Sequence, residues 1–315
     1  MTLPMGRAMR EAFGETVTAL ADHDPRIVML DADLGVSTRA DIFEQAHPER
    51  YLQMGIAEQN MLGVAAGLAT TGFIPFISTF VSFAVVRPLD QIRVLIAQPH
   101  LNVKITAGYA GLFTGSTGKT HVIVDDMTIM RAVPGMVTIS PADEIETREA
   151  LRWAASYDGP VYIRMVRDAT QRLFDDTYQF NVGRAVVVRD GRDVTLVSTG
   201  AQTARVVDAA DLLAEHGIDA QVLHVPTLKP LDTDALVAAA ERTGLVITIE
   251  EHSIIGGLGG AVAEALSERR PTRVKRLGLQ DIYAESGSND ALLDKYGLSA
   301  VRVAEQVRNY LGTSA

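Results

Sequence analysis

The sequence predicts an α/β protein of two domains, each a mostly parallel sheet covered by helices. Three observations carry this prediction. Short β-branched runs alternate with amphipathic helical stretches along the chain, the pattern of successive βαβ units. The 315 residues suffice for about two domains at ~150 residues each. At residues 170–183 the alternation lapses into TQRLFDDTYQFNVG, polar and non-periodic, which places the domains at 1–175 and 185–315.

In the first domain RIVMLDAD, FIPFISTF, NVKITAG, MVTISP and PVYIRMV read as strands, being short and rich in Val, Ile and Phe. Between them 57–70, 83–97 and 142–157 read as helices. Pro141-Ala142-Asp143 supplies the clearest start signal, a turn feeding an acidic first turn. The second domain runs DVTLVSTG, helix 201–215, AQVLHVP, helix 233–242, GLVITIEE, helix 259–268, TRVKRLGL and a helical tail.

Composition removes several classes of function. A net charge of -10 argues against a nucleic-acid surface. The absence of cysteine excludes disulfides, thiolate nucleophiles and Cys-ligated zinc. MTLPMGRAMREAFGETV lacks the apolar core of a signal peptide, and no stretch approaches the ~18 apolar residues of a membrane span. A soluble cytoplasmic protein is expected. GLFTGSTGKTH resembles a phosphate-binding loop, but Phe113 stands where that pattern requires glycine. GGLGGAV has Val262 in place of a third glycine, and close strand-to-helix packing accounts for it.

Glu58 is the unusual residue. With period 3.6 it shares a helix face with Met61, Leu62 and Ala65, where an ionised carboxylate without a partner is costly. Arg93 or another cation at an interface would offset it. In open parallel sheets, ligands bind beyond the carboxyl ends of strands, and Asp33, Ser37, Tyr109 and Arg167 fall at such ends. His121 closes a loop rich in Gly, Ser and Thr, and Phe80 and Phe83 could present rings from a strand end. Taken singly, most have duller accounts: core rings, a solvated histidine, and Asp33 capping a turn.

The segments MGIAEQNMLGVAAGLA, VMLDADLGVSTR, FISTFVSFA, DQIR and DGPVYIRMVRD, with LVSTGAQT and EEHSIIGGLG, resemble the carboxyl-terminal half of a transketolase of the kind made as two chains. The resemblance implies a pyrimidine-binding domain followed by a smaller carboxyl-terminal domain. It implies thiamin diphosphate as cofactor, with Mg²⁺ and the diphosphate held by a Gly-Asp-Gly motif that occurs nowhere here. A separate amino-terminal, diphosphate-binding subunit is therefore expected as partner, in an α2β2 heterotetramer, and no metal ligand on this chain.

By resemblance Glu58 is the acid that shares a proton with the pyrimidine ring nitrogen, Phe80 and Phe83 hold the ring, and Ile56 and Asp33 border it. The implied reaction moves a two-carbon ketol unit from a ketose to an aldose. His121 would shuttle protons at the sugar hydroxyls, and Arg10, Ser37 and Arg167 match positions that grip a sugar phosphate. The chain also departs from the family pattern. Thr117 replaces an aspartate, Tyr109 stands where many relatives have a second histidine, and Lys119 is gained, so an altered sugar preference is expected. Two other readings stay open. One is the β subunit of another thiamin enzyme, acting on a 2-oxoacid or resembling deoxyxylulose-phosphate synthase; the other is a non-catalytic subunit of the same fold.

Overall fold

The computed structural model describes residues 3–312. In the first half of the chain the strands are β1 (Met5–Ala8), β2 (Ile27–Asp31), β3 (Tyr51–Gln53), β4 (Ile74–Phe80), β5 (Lys104–Gly108), β6 (Val137–Ile139), β7 (Val161–Arg164) and β8 (Ala169–Gln171). The second half contributes β9 (Val186–Arg189), β10 (Val194–Ser198), β11 (Ala220–His224), β12 (Thr227–Lys229), β13 (Leu245–Ser253) and β14 (Arg273–Leu279).

Apart from β1 and β8, which pair with each other as an antiparallel ribbon, they form two large sheets. One has the order β12-β6-β7-β5-β4-β2-β3 and the other β14-β13-β10-β11-β9, each parallel except for one antiparallel edge strand, β12 and β9. Every residue of β2, β4 and β5 is buried, as expected of parallel strands covered on both faces. The helices lie where periodicity predicts, at Glu58–Thr70, Glu144–Ser156, Gln202–Ala214, Thr233–Thr243 and Leu258–Arg269. Asp143 caps the second of these by accepting the N–H groups of Ile145 and Glu146 at 3.0 and 2.9 Å.

The predicted helix 83–97 is corrected. The chain forms a short helix Val81–Val85, turns at Val86 to Pro88, and resumes at Leu89 to end in a π-helical turn, Ile92–Ala97. Pro88 has no N–H to donate and disfavours helical backbone at the residue before it, so Arg87 sits on a corner. The helix Met9–His23 escaped the sequence reading, as did β1, β3, β8, β9 and β12, whose short runs carry little periodicity. Residues 172–185 hold no helix or strand, and Asp143 Oδ2 ties them down by accepting the N–H groups of Leu173 and Phe174 at 2.7 and 2.8 Å.

The two sheets are locked by buried polar contacts. Arg164, at the end of β7, donates to Asp126 Oδ2 at 3.0 Å and to Glu251 Oε1 on β13. Tyr162 adds a 2.6 Å hydrogen bond to Asp126, and Glu251 Oε2 accepts the Leu112 N–H at 2.8 Å. Gly111 is required beside this network: its φ is +53°, and a Cβ would stand 1.8 Å from Glu251 Oε2. A second contact joins the helix Glu144–Ser156 to β11, with His224 Nε2 2.8 Å from Glu146 Oε2. Strand β12, from the second half of the chain, crosses too, pairing with β6 as the edge of the seven-stranded sheet.

Removing the shared cation leaves two buried carboxylates uncompensated. Arg164→Ala is expected to cost about 3–5 kcal/mol of stability, read as a lowered denaturant midpoint in equilibrium unfolding.

Candidate active site

Parallel strands bring their carboxyl ends to one edge, and the sequence candidates gather along it. β2 runs into Asp33, β3 into the turn that precedes Glu58, β4 into Phe80, β5 into Tyr109 and β7 towards Arg167. Two of these residues, Asp33 and Tyr109, have left-handed backbone, φ +60° and +63°, unusual for side chains with a Cβ. Such backbone persists where the surroundings over-determine it, which is frequent at functional sites.

Glu58 opens its helix and is 4% exposed, with Met61, Leu62 and Ala65 buried along the same face as predicted. Its compensating cation is Arg87, whose Nη1 donates to Glu58 Oε1 at 2.6 Å. The expected pairing with Arg93 is corrected, since Arg93 lies 4.0 Å from Asp90 on the far side of the helix break. The Arg87 guanidinium also lies over Phe83, its Cζ 3.9 Å from the ring centroid. Gln59 Nε2 holds the Arg87 carbonyl at 3.1 Å, so backbone and side chain are both tied to the start of the Glu58 helix.

A ring cluster continues from Phe83. Phe80 stacks on Tyr109 with centroids 3.8 Å apart and on Phe83 at 5.9 Å. Tyr109 therefore covers Phe80, while Phe83 faces a cleft of about 530 Å³ that it lines with Arg87, Thr120 and Tyr283. His121 meets both phenylalanines edge-on, at 5.2 Å from Phe83 and 6.1 Å from Phe80. Thr120 Oγ1 lies 2.9 Å from His121 Nδ1, which leaves Nε2 as the nitrogen available to a ligand.

Arg167 belongs to the same chain of contacts. Its Nε donates to Tyr109 Oη at 3.0 Å and its Nη1 to Asp168 Oδ1 at 2.6 Å. Asp168 Oδ2 accepts from Asn289 at 2.9 Å. Asn289 also accepts the Gly115 N–H at 3.1 Å and donates to Phe113 O at 3.2 Å, clamping the loop that leads to His121. Within that loop Thr117 spends its hydroxyl on Thr114 O at 2.6 Å, and Lys119 is exposed near Glu285.

The remaining candidates stand on the β2 side. Arg10 Nη1 donates to the Ser37 carbonyl at 3.0 Å, and Ser37 and Asp33 line one small pocket of about 180 Å³. Asp33 is exposed, and the suggestion that it caps a turn is corrected: Asp31 does so, accepting the N–H groups of Leu34 and Gly35 at 2.9 and 3.0 Å. Burial pushes the Asp31 carboxyl up, against the hydrogen bonds that favour its charge. Ile56, 74% exposed, borders a cleft of about 400 Å³ with Glu58 and Arg87. Arg87, Asp31, Asp168 and Asn289 were missed from sequence. An Arg-Pro pair after two phenylalanines could have signalled Arg87, but Asn289 lies 174 residues from Gly115 and left no local sign.

A transketolase pyrimidine-binding domain model matches residues 5–172, and a transketolase carboxyl-terminal domain model matches 183–303. The chain is 41% identical to the 6-deoxy-6-sulfo-D-fructose transketolase subunit SqwH of a Clostridium species, covering 95% of this chain and 94% of that one. It is 36% identical to one of the subunits of the apulose-4-phosphate transketolase of Phocaeicola vulgatus, covering 92% and 93%. Among solved structures it resembles a split-gene transketolase described as an inactive beta4 tetramer, with TM-score 0.90, 47% identity and coverage of 96% and 98%.

The clamp at Asn289 makes its own prediction. Asn289→Ala removes two hydrogen bonds that hold the loop and a third to Asp168, so amide exchange over residues 112–121 should accelerate about tenfold. Hydrogen-exchange mass spectrometry reads this directly, and protection of β4 and β5 should be unchanged.

Proposed function

The chain belongs to the transketolase family, as the carboxyl-terminal section of a split transketolase, and on that premise we propose that it builds the pyrimidine half of a thiamin-diphosphate site. The observation that carries this reading is Glu58, a carboxylate buried beside an aromatic face at the ligand-binding edge of a parallel sheet. The fit has a test in the structure itself. The Arg87 guanidinium, a planar nitrogen cation, already stacks on Phe83 while hydrogen-bonding Glu58, the two contacts an aminopyrimidine needs.

When bound, thiamin diphosphate supplies the carbanion chemistry that breaks and remakes the carbon–carbon bond beside a ketose carbonyl. Glu58 holds a proton at the ring nitrogen opposite the exocyclic amine, and burial lets it do so without competition from water. Phe83 carries the ring, Phe80 backs it, and Ile56 and Asp33 border the site on the side open to a partner chain. His121 Nε2 gives and takes protons at the sugar hydroxyls.

The substrate is a ketose that bears an anionic group. The two named relatives act on a sulfo sugar and a sugar phosphate, and Arg10, Arg167 and Lys119 give this chain cations along the same edge. Ser37 borders that groove. Tyr109 and Thr117 shape it in place of an imidazole and a carboxylate, with Tyr109 aiming Arg167. The diphosphate and Mg²⁺ belong to an amino-terminal subunit, which the lack of a Gly-Asp-Gly motif on this chain supports; we propose an α2β2 assembly working in the cytoplasm.

Calorimetric titration of thiamin diphosphate with Mg²⁺ should give tight binding to the assembled complex and none to this chain alone. Tight binding by the isolated chain would defeat the half-site. In the complex, Glu58→Gln should slow exchange of the cofactor's C2 proton by orders of magnitude, seen by NMR, because an amide cannot share the required proton. His121→Ala should lower ketose turnover about 10²-fold or more with cofactor affinity unchanged; equal losses in both would contradict the shuttle.

A further inference from the structure

We infer that Arg87 is a placeholder for the cofactor's ring: it occupies the pyrimidine position in the cofactor-free chain and must leave when the cofactor binds. The inference rests on Glu58 and Phe83 being the pyrimidine site. It concerns a residue that the resemblance leaves without a role.

Three features of the geometry lead to it. First, the guanidinium makes both contacts that the aminopyrimidine would make, the 2.6 Å hydrogen bond to Glu58 Oε1 and the 3.9 Å approach to the Phe83 face. Two planar groups cannot share one aromatic face and one carboxylate oxygen. Second, the chemistry of the pair excludes the working state. Glu58 Oε1 already accepts from Arg87 Nη1, and the proposed role needs that carboxyl turned to the ring nitrogen instead. Third, Arg87 is built to move without moving the fold. Its backbone is fixed by Gln59 at 3.1 Å and followed by Pro88, while its side chain remains 43% exposed. It lines both the cleft at Phe83 and the one at Glu58, so rotation about its own side-chain bonds suffices to clear the ring.

The device has a physical reason. Without a cofactor, Glu58 is a buried carboxylate needing a counter-charge, and Arg87 supplies it. Cofactor binding then exchanges one partner for another instead of creating an interaction from nothing, so part of the gross binding energy is spent on displacing Arg87.

The test uses the chain assembled with its partner subunit, thiamin diphosphate with Mg²⁺ as ligand, and calorimetry with thermal unfolding as readouts. Arg87→Ala should tighten cofactor binding about fivefold or more, the scale of one half-exposed ion pair. It should also lower the melting temperature of the cofactor-free complex while leaving that of the loaded complex unchanged. Arg87→Lys, which keeps the charge but loses the planar stack, should fall between the two. If Arg87→Ala weakens binding or leaves it unchanged while Glu58→Gln abolishes C2-proton exchange, the placeholder is wrong and the site reading stands. If Glu58→Gln leaves exchange intact, the site reading fails and the placeholder fails with it.

Discussion

A carboxylate in an apolar setting must have either a proton or a cation, and the candidate site is organised around that requirement at Glu58. Its helix face is otherwise Met61, Leu62 and Ala65, all buried, so the apolar side of the helix offers the charge no partner. The chain answers with Arg87, brought over the acid by a helix break at Pro88. From that pair the contacts run outward through Phe83 and Phe80 to Tyr109 and Arg167. An acid that could be satisfied by solvent would need none of this scaffolding.

The second constraint is that the site edge draws on both halves of the chain. Glu251 and Asn289 belong to the second half, yet one accepts the Leu112 N–H and the other the Gly115 N–H. The loop leading to His121 is thereby fixed at two points from the second half of the chain, by Glu251 on β13 and by Asn289 at the start of the helix Asn289–Lys295. Arg164 makes the arrangement rigid, because it offsets Asp126 and Glu251 together and neither acid tolerates its loss when buried. Separating the two halves of the chain would expose the buried Asp126, Arg164 and Glu251 that their junction pairs.

Much of this was legible in the sequence for physical reasons that apply residue by residue. The strands β2, β4 and β5 are buried on both faces and therefore read as unbroken apolar runs. The Glu58 helix announced its buried face because one acid interrupted a 3.6-residue pattern. The short edge strands β3, β9 and β12 did not, since three or four residues carry no usable period. The segment 83–97 misled because its composition suits a helix throughout and one proline decides where the backbone turns. Asn289 and Glu251 were beyond local reading altogether: their roles exist only after distant segments meet.

Tyr109 shows how one substitution alters a groove without disturbing the acid. An imidazole at the end of β5 would present a nitrogen to a sugar. The phenol instead lies flat on Phe80 at 3.8 Å and turns its oxygen to Arg167 at 3.0 Å. The phenol oxygen is thus spent on where a guanidinium points. That guanidinium is steadied by Asp168, and Asp168 by Asn289, so its aim depends on the second domain. A fixed cation discriminates by the distance and geometry of an anionic group more than by the stereochemistry of a hydroxyl. The Glu58–Arg87 pair lies apart from this lever and meets it through the packing of Phe83 and Phe80. On the proposed function, the guanidinium end of the groove can therefore vary while the acid and its aromatic face stay the same.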